Sequence, residues 1–446
     1  MEGRQVSDRW ERGRPYEQYV GRWSRQIAPL FLAGLNVPGG DAGRGSVGAH
    51  GSVGAHGSWK GRVNLPGLVL TATAIALIGC AARETLDGGR HPSGLETYPT
   101  GRSPRAVAVA DLDGDGYRDV VVANSGDGTV QVFAGAASGR LSPATRPIAA
   151  GNEPADVDIV DLDQDRDGDL VVANHETSLV TLLLNDGQGR FAPAPASPLE
   201  SNARPHVHGL ATGDFDGDGW NDIAVESADT GEVRVLRGGS AGFGRAEGIA
   251  VGTMPYYRLG AADVTGDGRV EILVPGHRNN SMIVVGQGRD VLADHTTSLP
   301  AQPWMVVGDD VNGDQRTDIV VVLTDGVGVL LAGPEGFQEA PGSPFFVARA
   351  TEVATGDLDG DGIADIVVGP WEGSEVTVLR GGTFLPRVVR TCERPIGLAV
   401  ADLDGDRRGE LITACAAQNR LAVMTDVLIG AGAAHQAAPA DAEGRR

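Results

Sequence analysis

Residues Asp111–Asp119 read DLDGDGYRD, and the same frame returns six more times along the chain. The pattern is D-x-D-x-D-G-x-x-D, with acids at places one, three, five and nine and glycine at place six. The first copy supplies Asp111, Asp113, Asp115 and Asp119. The later copies supply Asp161, Asp163, Asp165 and Asp169; Asp214, Asp216, Asp218 and Asp222; Asp263, Thr265, Asp267 and Glu271; Asp310, Asn312, Asp314 and Asp318; Asp357, Asp359, Asp361 and Asp365; and Asp402, Asp404, Asp406 and Glu410. Place six departs from glycine at Arg166, Gln315 and Arg407. Successive copies begin 50, 53, 49, 47, 47 and 45 residues apart. A steady period of this length marks stacked structural units, none of which can bury its apolar face alone.

Working outward from the first loop, Ala106–Ala110 alternates before it, and Asp119–Ala123 (DVVVA) is a β-branched run after it. Thr129–Ala134 and Thr145–Ala149 supply two more strands, so each repeat holds one four-stranded sheet. Seven such sheets predict an all-β fold, a seven-bladed β-propeller. The last repeat lacks a fourth strand, and Leu95–Thr100 matches the missing one. This N-terminal strand is expected to close the last blade, and with it the ring, leaving no free sheet edge. Composition agrees: 66 Gly and 25 Pro among 446 residues suit many short strands and turns. It argues against a helical bundle, a coiled coil or a polytopic membrane protein.

The loop and its flanks together resemble the FG-GAP/VCBS repeat, whose blades also appear in the propellers of integrin α-subunits. The resemblance runs over residues 95–427.

Acids at places one, three and five of a tight loop point at one centre, and the acid at place nine completes the shell. Oxygen donors in that number suit Ca²⁺. The seven loops hold 27 of the chain's 59 Asp and Glu. Seven Ca²⁺ would bring the formal charge from −22 to −8. Up to seven ions are expected, best held in repeats one, three and six, which keep every acid and the glycine. Two readings stay open, a structural staple between strands and an exposed ion that touches a ligand. So acidic a chain repels nucleic-acid backbones, and no nucleic-acid partner is expected.

Loops at the other ends of the strands form the opposite face. Six residues ahead of the loops stand Arg105, Ala155, His208, Tyr257, Trp304, Thr351 and Ile396. They nominate a ligand patch of His206, His208, Tyr257, Trp304 and Trp371, with His175, His277 and Arg278 in loops on the same face. Rings with polar edges suit sugar or peptide recognition. The alternative is that these side chains plug the channel. His206-x-His208 is a metal pair with no third ligand evident in the sequence. Cys392 and Cys415 fall at one end of the hairpin that carries the seventh loop, as a disulfide or as two buried thiols. No catalytic residue is nominated, since nucleophile-elbow, HExxH, P-loop and dinucleotide fingerprints are missing from residues 95–427.

The N-terminal part reads differently. Tyr16–Leu32 resembles the opening helix of class I S-adenosylmethionine-dependent methyltransferases, without the strand and cofactor loop expected after it. Residues 1–58 are read as a disordered extension, a fused fragment or a misplaced start. Lys60 and Arg62, the apolar run Leu65–Ile78 and Leu77-Ile78-Gly79-Cys80 resemble a bacterial lipoprotein signal over residues 59–80, with Cys80 bearing the lipid. Residues 81–94 then form a tether, and 428–446 a disordered tail. The functional reading is a monomeric, calcium-binding envelope lipoprotein at the outer membrane or cell surface. It touches the membrane through its lipid and binds a glycan or protein without catalysis. The alternatives are a polysaccharide-active enzyme resembling lyase propellers, with His208 or Tyr257 as base, and an envelope assembly module.

Overall fold

The computed structural model describes residues 94–428, apart from 145, 288–290 and 335. Contacts separate residues 1–79 from residues 80–446, and the described residues all belong to the second unit. The methyltransferase-like stretch, the signal segment with Cys80, the tether up to residue 93 and the tail from residue 429 lie outside the described residues.

Seven antiparallel sheets follow one another along the chain. In the first blade Pro104–Ala110, Asp119–Asn124 and Thr129–Ala134 lie side by side. Its outer strand is broken into Ser142–Pro143 and Ile148–Ala149, so the expected strand over 145–149 is only the second half. The second and fifth blades break their outer strands in the same way. There the Ser197 and Ser343 hydroxyls accept the backbone N–H groups of Leu182 and Val329. Leu95–Pro99 pairs with Arg420–Met424, as expected, and is the fourth strand of the seventh blade.

Every second strand is buried at all six of its residues. It has a strand on each edge and a neighbouring blade on each face. With no solvent side, it reads as an unbroken apolar run rather than an alternation. The apolar side chains gather into seven main clusters, one at each interface between neighbouring blades. The cluster between the seventh and first blades holds Val120, Val122 and Phe133 against Ile412, Leu421 and Val423. The ring is thus closed by side-chain packing as well as by strand pairing. A disulfide joins Cys392, on the connection entering the seventh blade, to Cys415 at the end of that blade's second strand. The first strands surround a central channel of about 940 Å³, lined by residues such as Val109, Asp158, Thr212, Val307 and Val400.

Candidate functional site

Each acidic loop joins the first strand of a blade to the second, so all seven lie on one face. They close in one way. The place-one Asp accepts the N–H of place four at 2.6–2.8 Å and that of place six at 2.7–3.0 Å. Place six takes φ between 66° and 89° throughout, including at Arg166, Gln315 and Arg407. A side chain in that conformation costs about 1–2 kcal/mol. A Cβ added at Gly116 or Gly219 would touch nothing, so φ alone favours glycine there.

Place nine has a second task. Its buried carboxylate accepts the N–H of place two at 2.8–3.2 Å in every blade. The place-two side chain, for example Leu112, Phe215 or Val311, is buried between blades. Where place nine is Asp, its other oxygen accepts an N–H at the end of the third strand, at 2.7–2.9 Å. One carboxylate therefore ties three strands together. Burial, opposed by these N–H groups and aided by neighbouring acids, pushes Asp169, Asp318 and Asp365 up to about 6 and Glu410 up to about 7.

One carboxylate oxygen each from Asp111, Asp113 and Asp115 lies within 4.8 Å of the others, and the same holds for Asp161, Asp163 and Asp169 and for Asp214, Asp216 and Asp218. This all-oxygen set fits the needs of Ca²⁺. In the third and sixth blades an arginine, Arg237 or Arg380, reaches into the loop from the end of the third strand.

Antiparallel pairing places the start of each first strand beside the end of the second, on the face opposite the acidic loops. There Arg105, Ala155, His208 and Tyr257 converge around a small cavity closed by Asp156, Arg258 and Glu352. Arg258 Nη2 lies 2.5 Å from Asp156 Oδ1, and the Tyr257 hydroxyl donates to Glu352 Oε1 at 2.8 Å. Burial pushes the Asp156 and Glu352 carboxyls up, with Arg258 pulling against it. Burial likewise opposes the charge on Arg258, but Asp156 and Glu352 outweigh it and carry its pKa up. Tyr257 belongs to this plug, with its hydroxyl committed to Glu352.

Beside the plug runs an unbroken chain of rings. Centroid separations are 4.4 Å from His175 to His206, 4.5 Å on to His208, 4.7 Å on to Tyr256, 5.2 Å on to His277 and 4.6 Å on to Trp304. The chain crosses from the second blade to the fifth. Trp304 Nε1 donates to Thr324 Oγ1 at 3.1 Å, and His277 Nδ1 lies 3.1 Å from the Pro303 carbonyl. His208 Nδ1 lies 2.7 Å from Glu226 Oε1, and Glu226 is fully buried. Burial pushes His175 down to about 3 and lowers His277, so both rings are neutral near pH 7. Trp371 stands apart in the sixth blade, with the Arg394 guanidinium 5.2 Å from its ring centre.

The structure therefore brings His206, His208 and Trp304 together, sends Tyr257 to the axis and leaves Trp371 elsewhere. Tyr256, Glu226, Asp156, Arg258 and Glu352 are additions. Glu226 had a signal: the matching place in the other second strands holds Ala123, Ala173, Pro275, Val322, Gly369 and Ala414.

A closed ring of seven blades, each with an acidic loop on one face, defines a seven-bladed β-propeller. The chain belongs to the FG-GAP-like repeat family, whose model matches residues 111–172, 161–225, 214–274, 310–368 and 357–413 and so takes in all seven loops. No curated protein matches it. Among solved structures it is similar to BBS1N in complex with ARL6DN, at 16% identity and a TM-score of 0.53, over 74% of this chain and 95% of that one. It is also similar to virginiamycin B lyase from Staphylococcus aureus, at 12% identity and a TM-score of 0.50, over 74% of this chain and 98% of that one. A streptogramin B lyase gives 14% identity and a TM-score of 0.51, over 74% and 97%. At such identities these likenesses show the fold alone.

Proposed function

We propose that this propeller is a calcium-stapled binding module of the bacterial envelope, lipid-anchored through Cys80, whose ring-lined face holds a glycan or a protein. The observation that carries the reading is the continuous run of six rings from His175 to Trp304. Flat faces with polar edges stack on sugars and on aromatic or cationic side chains. The acids at places one, three, five and nine would hold Ca²⁺, which supplies the positive charge that offsets their mutual repulsion. The protein's own part is to hold those oxygens ready through the backbone N–H groups bonded to places one and nine. BBS1N, similar in fold, is found in complex with ARL6DN, in keeping with a protein ligand. The test is a screen of the full chain against immobilised glycans and envelope proteins in millimolar Ca²⁺. Trp304→Ala should weaken any hit at least about 10-fold in a chain that still melts cooperatively, at a lower temperature because its packing is lost. Binding untouched by that variant would remove the ring face as the site.

One observation favours a second reading. His208 is oriented by buried Glu226 beside Tyr256, an arrangement suited to a general base. On this reading the chain is a polysaccharide lyase. Unsaturated products from an acidic polysaccharide, lost in a His208→Ala variant, would support it; binding without products supports the first reading.

A further inference from the structure

We infer that His175, His206 and His208 form a site for a nitrogen-loving divalent transition metal such as Zn²⁺, on the opposite face from the acidic loops. One ring nitrogen from each lies within 4.8 Å of the other two. His206 Nε2 and His208 Nε2 are 3.1 Å apart. Two nitrogens bound to one tetrahedral Zn²⁺, at about 2.0–2.1 Å each, sit about 3.3 Å apart, so this pair is close to ligating separation. The sequence offered only His206-x-His208. The third ligand comes from the turn after the second strand of the neighbouring blade, and only the packing of two blades reveals it.

The His208 ring is held for the task. Glu226 Oε1 accepts the His208 backbone N–H at 2.6 Å and lies 2.7 Å from His208 Nδ1. With Nδ1 turned to Glu226, Nε2 is the nitrogen left to face an ion. His175 has the Glu153 and Glu176 carboxylates 3.8 Å and 3.6 Å from its own Nδ1, too far for a hydrogen bond, so they supply negative charge beside the ring while Glu226 alone orients one. Carboxylates behind ligating imidazoles hold ring orientation and raise basicity in metal sites generally. The His208 side chain is only 6% exposed, whereas His175 is 21% exposed, which gives an ion an entry path. Three imidazole nitrogens suit Zn²⁺, Cu²⁺ or Ni²⁺ rather than Ca²⁺, and three protein ligands leave one coordination position for water or an anionic group of a ligand. The inference is independent of what, if anything, docks on the ring face.

The test uses the full chain, stripped of metal and returned to millimolar Ca²⁺ so that the oxygen loops do not take up the probe. Calorimetric titration with Zn²⁺ should show one equivalent bound, and Co²⁺ in its place should give the intense visible bands of a tetrahedral nitrogen site. Glu226→Gln should weaken binding about 10- to 100-fold, and His206→Ala by more. His175→Gln keeps a polar side chain in the turn and serves as the second ligand variant if His206→Ala fails to fold. Failure to take up Zn²⁺ in the presence of Ca²⁺, or uptake unchanged in a folded His206 or His175 variant, would overturn the assignment.

Discussion

Arg237 Nη1 lies 2.6 Å from Asp222 Oδ2, with the carboxylate buried and the arginine side chain only 15% exposed. The same nitrogen is 3.6 Å from Asp216. A fixed positive charge thus stands inside the third blade's loop, where Ala134, Leu184, Gly286, Leu331 and Thr425 occupy the matching place in other blades. Arg380 repeats the arrangement in the sixth blade, more exposed. Of the three loops that keep every acid and the glycine, those of blades three and six therefore carry an arginine among their acids, and that of the first blade does not.

Arg237→Gln should lower the stability of the metal-free chain by about 3 kcal/mol, because it strands a buried carboxylate. The same change should enlarge the stabilisation given by Ca²⁺. Arg380→Gln should do less, since solvent screens its pairs. Thermal melts of both variants in chelator and in Ca²⁺ check this. Equal effects of the two would mean that burial of the pair is not what matters.

Metal and pH should act in opposite directions. In the metal-free fold Asp169, Asp318 and Asp365 titrate at about 6 and Glu410 at about 7. Unfolded, such groups titrate near about 4. The folded chain then binds more protons than the unfolded one across that window. Its stability falls as pH rises from about 4 to about 7, and levels above. Ca²⁺ binds the ionised form, so saturating ion should flatten this dependence, and the stabilisation it gives over chelator should grow as pH rises through the same window. Each site at 100-fold over its Kd adds about 2.7 kcal/mol. Melts at about pH 5 and pH 8, with ion and with chelator, should show the gap between the two widen at the higher pH; a gap of equal size at both would detach these acids from the metal.

The axial plug is a separate electrostatic unit. Arg258→Met leaves Asp156 shut in without its cation and Glu352 with Arg105 alone, and should cost about 3–5 kcal/mol. Tyr257→Phe removes the hydroxyl that donates to Glu352 and accepts from Arg105, and should cost about 1–3 kcal/mol. Denaturant titration of both distinguishes them. A mild Arg258→Met would show that water reaches the two acids through the channel.

Cys392 and Cys415 span 23 residues, and closing a loop of that length is worth about 3 kcal/mol. Reductant, or the paired change of both to Ala, should lower the melt by several degrees. Alkylation in the native state should leave both cysteines unlabelled; ready labelling of the pair would contradict the bridge.

What was legible in the residues divides along a physical line. The blades were legible because each second strand is sealed on all sides, as residues 120–123 of the first show, and so is apolar through most of its length. The seven turns were legible because a tight loop of carboxylates admits few side-chain patterns. Asp156, Arg258 and Glu352 were not, because their partners lie in the second, fourth and sixth blades and meet only at the axis of a finished ring. His175 was hidden for the same reason from His206 and His208. The place-nine acids were half legible: their spacing suggested ligands, while their grip on the place-two and third-strand N–H groups needs coordinates to see.

The pairing of Leu95–Pro99 with Arg420–Met424 also bears on how the molecule is made. The first strand of the propeller finds its partner in the last. Until then the nascent chain is an open arc, with the Val120 and Phe133 face of its first blade waiting for a seventh blade that does not yet exist. Folding of so non-local a contact is slow and exposed to aggregation. Premature termination before the strand Arg420–Met424 is made would leave that arc unsealed at both ends, so the ring cannot close until its last strand exists.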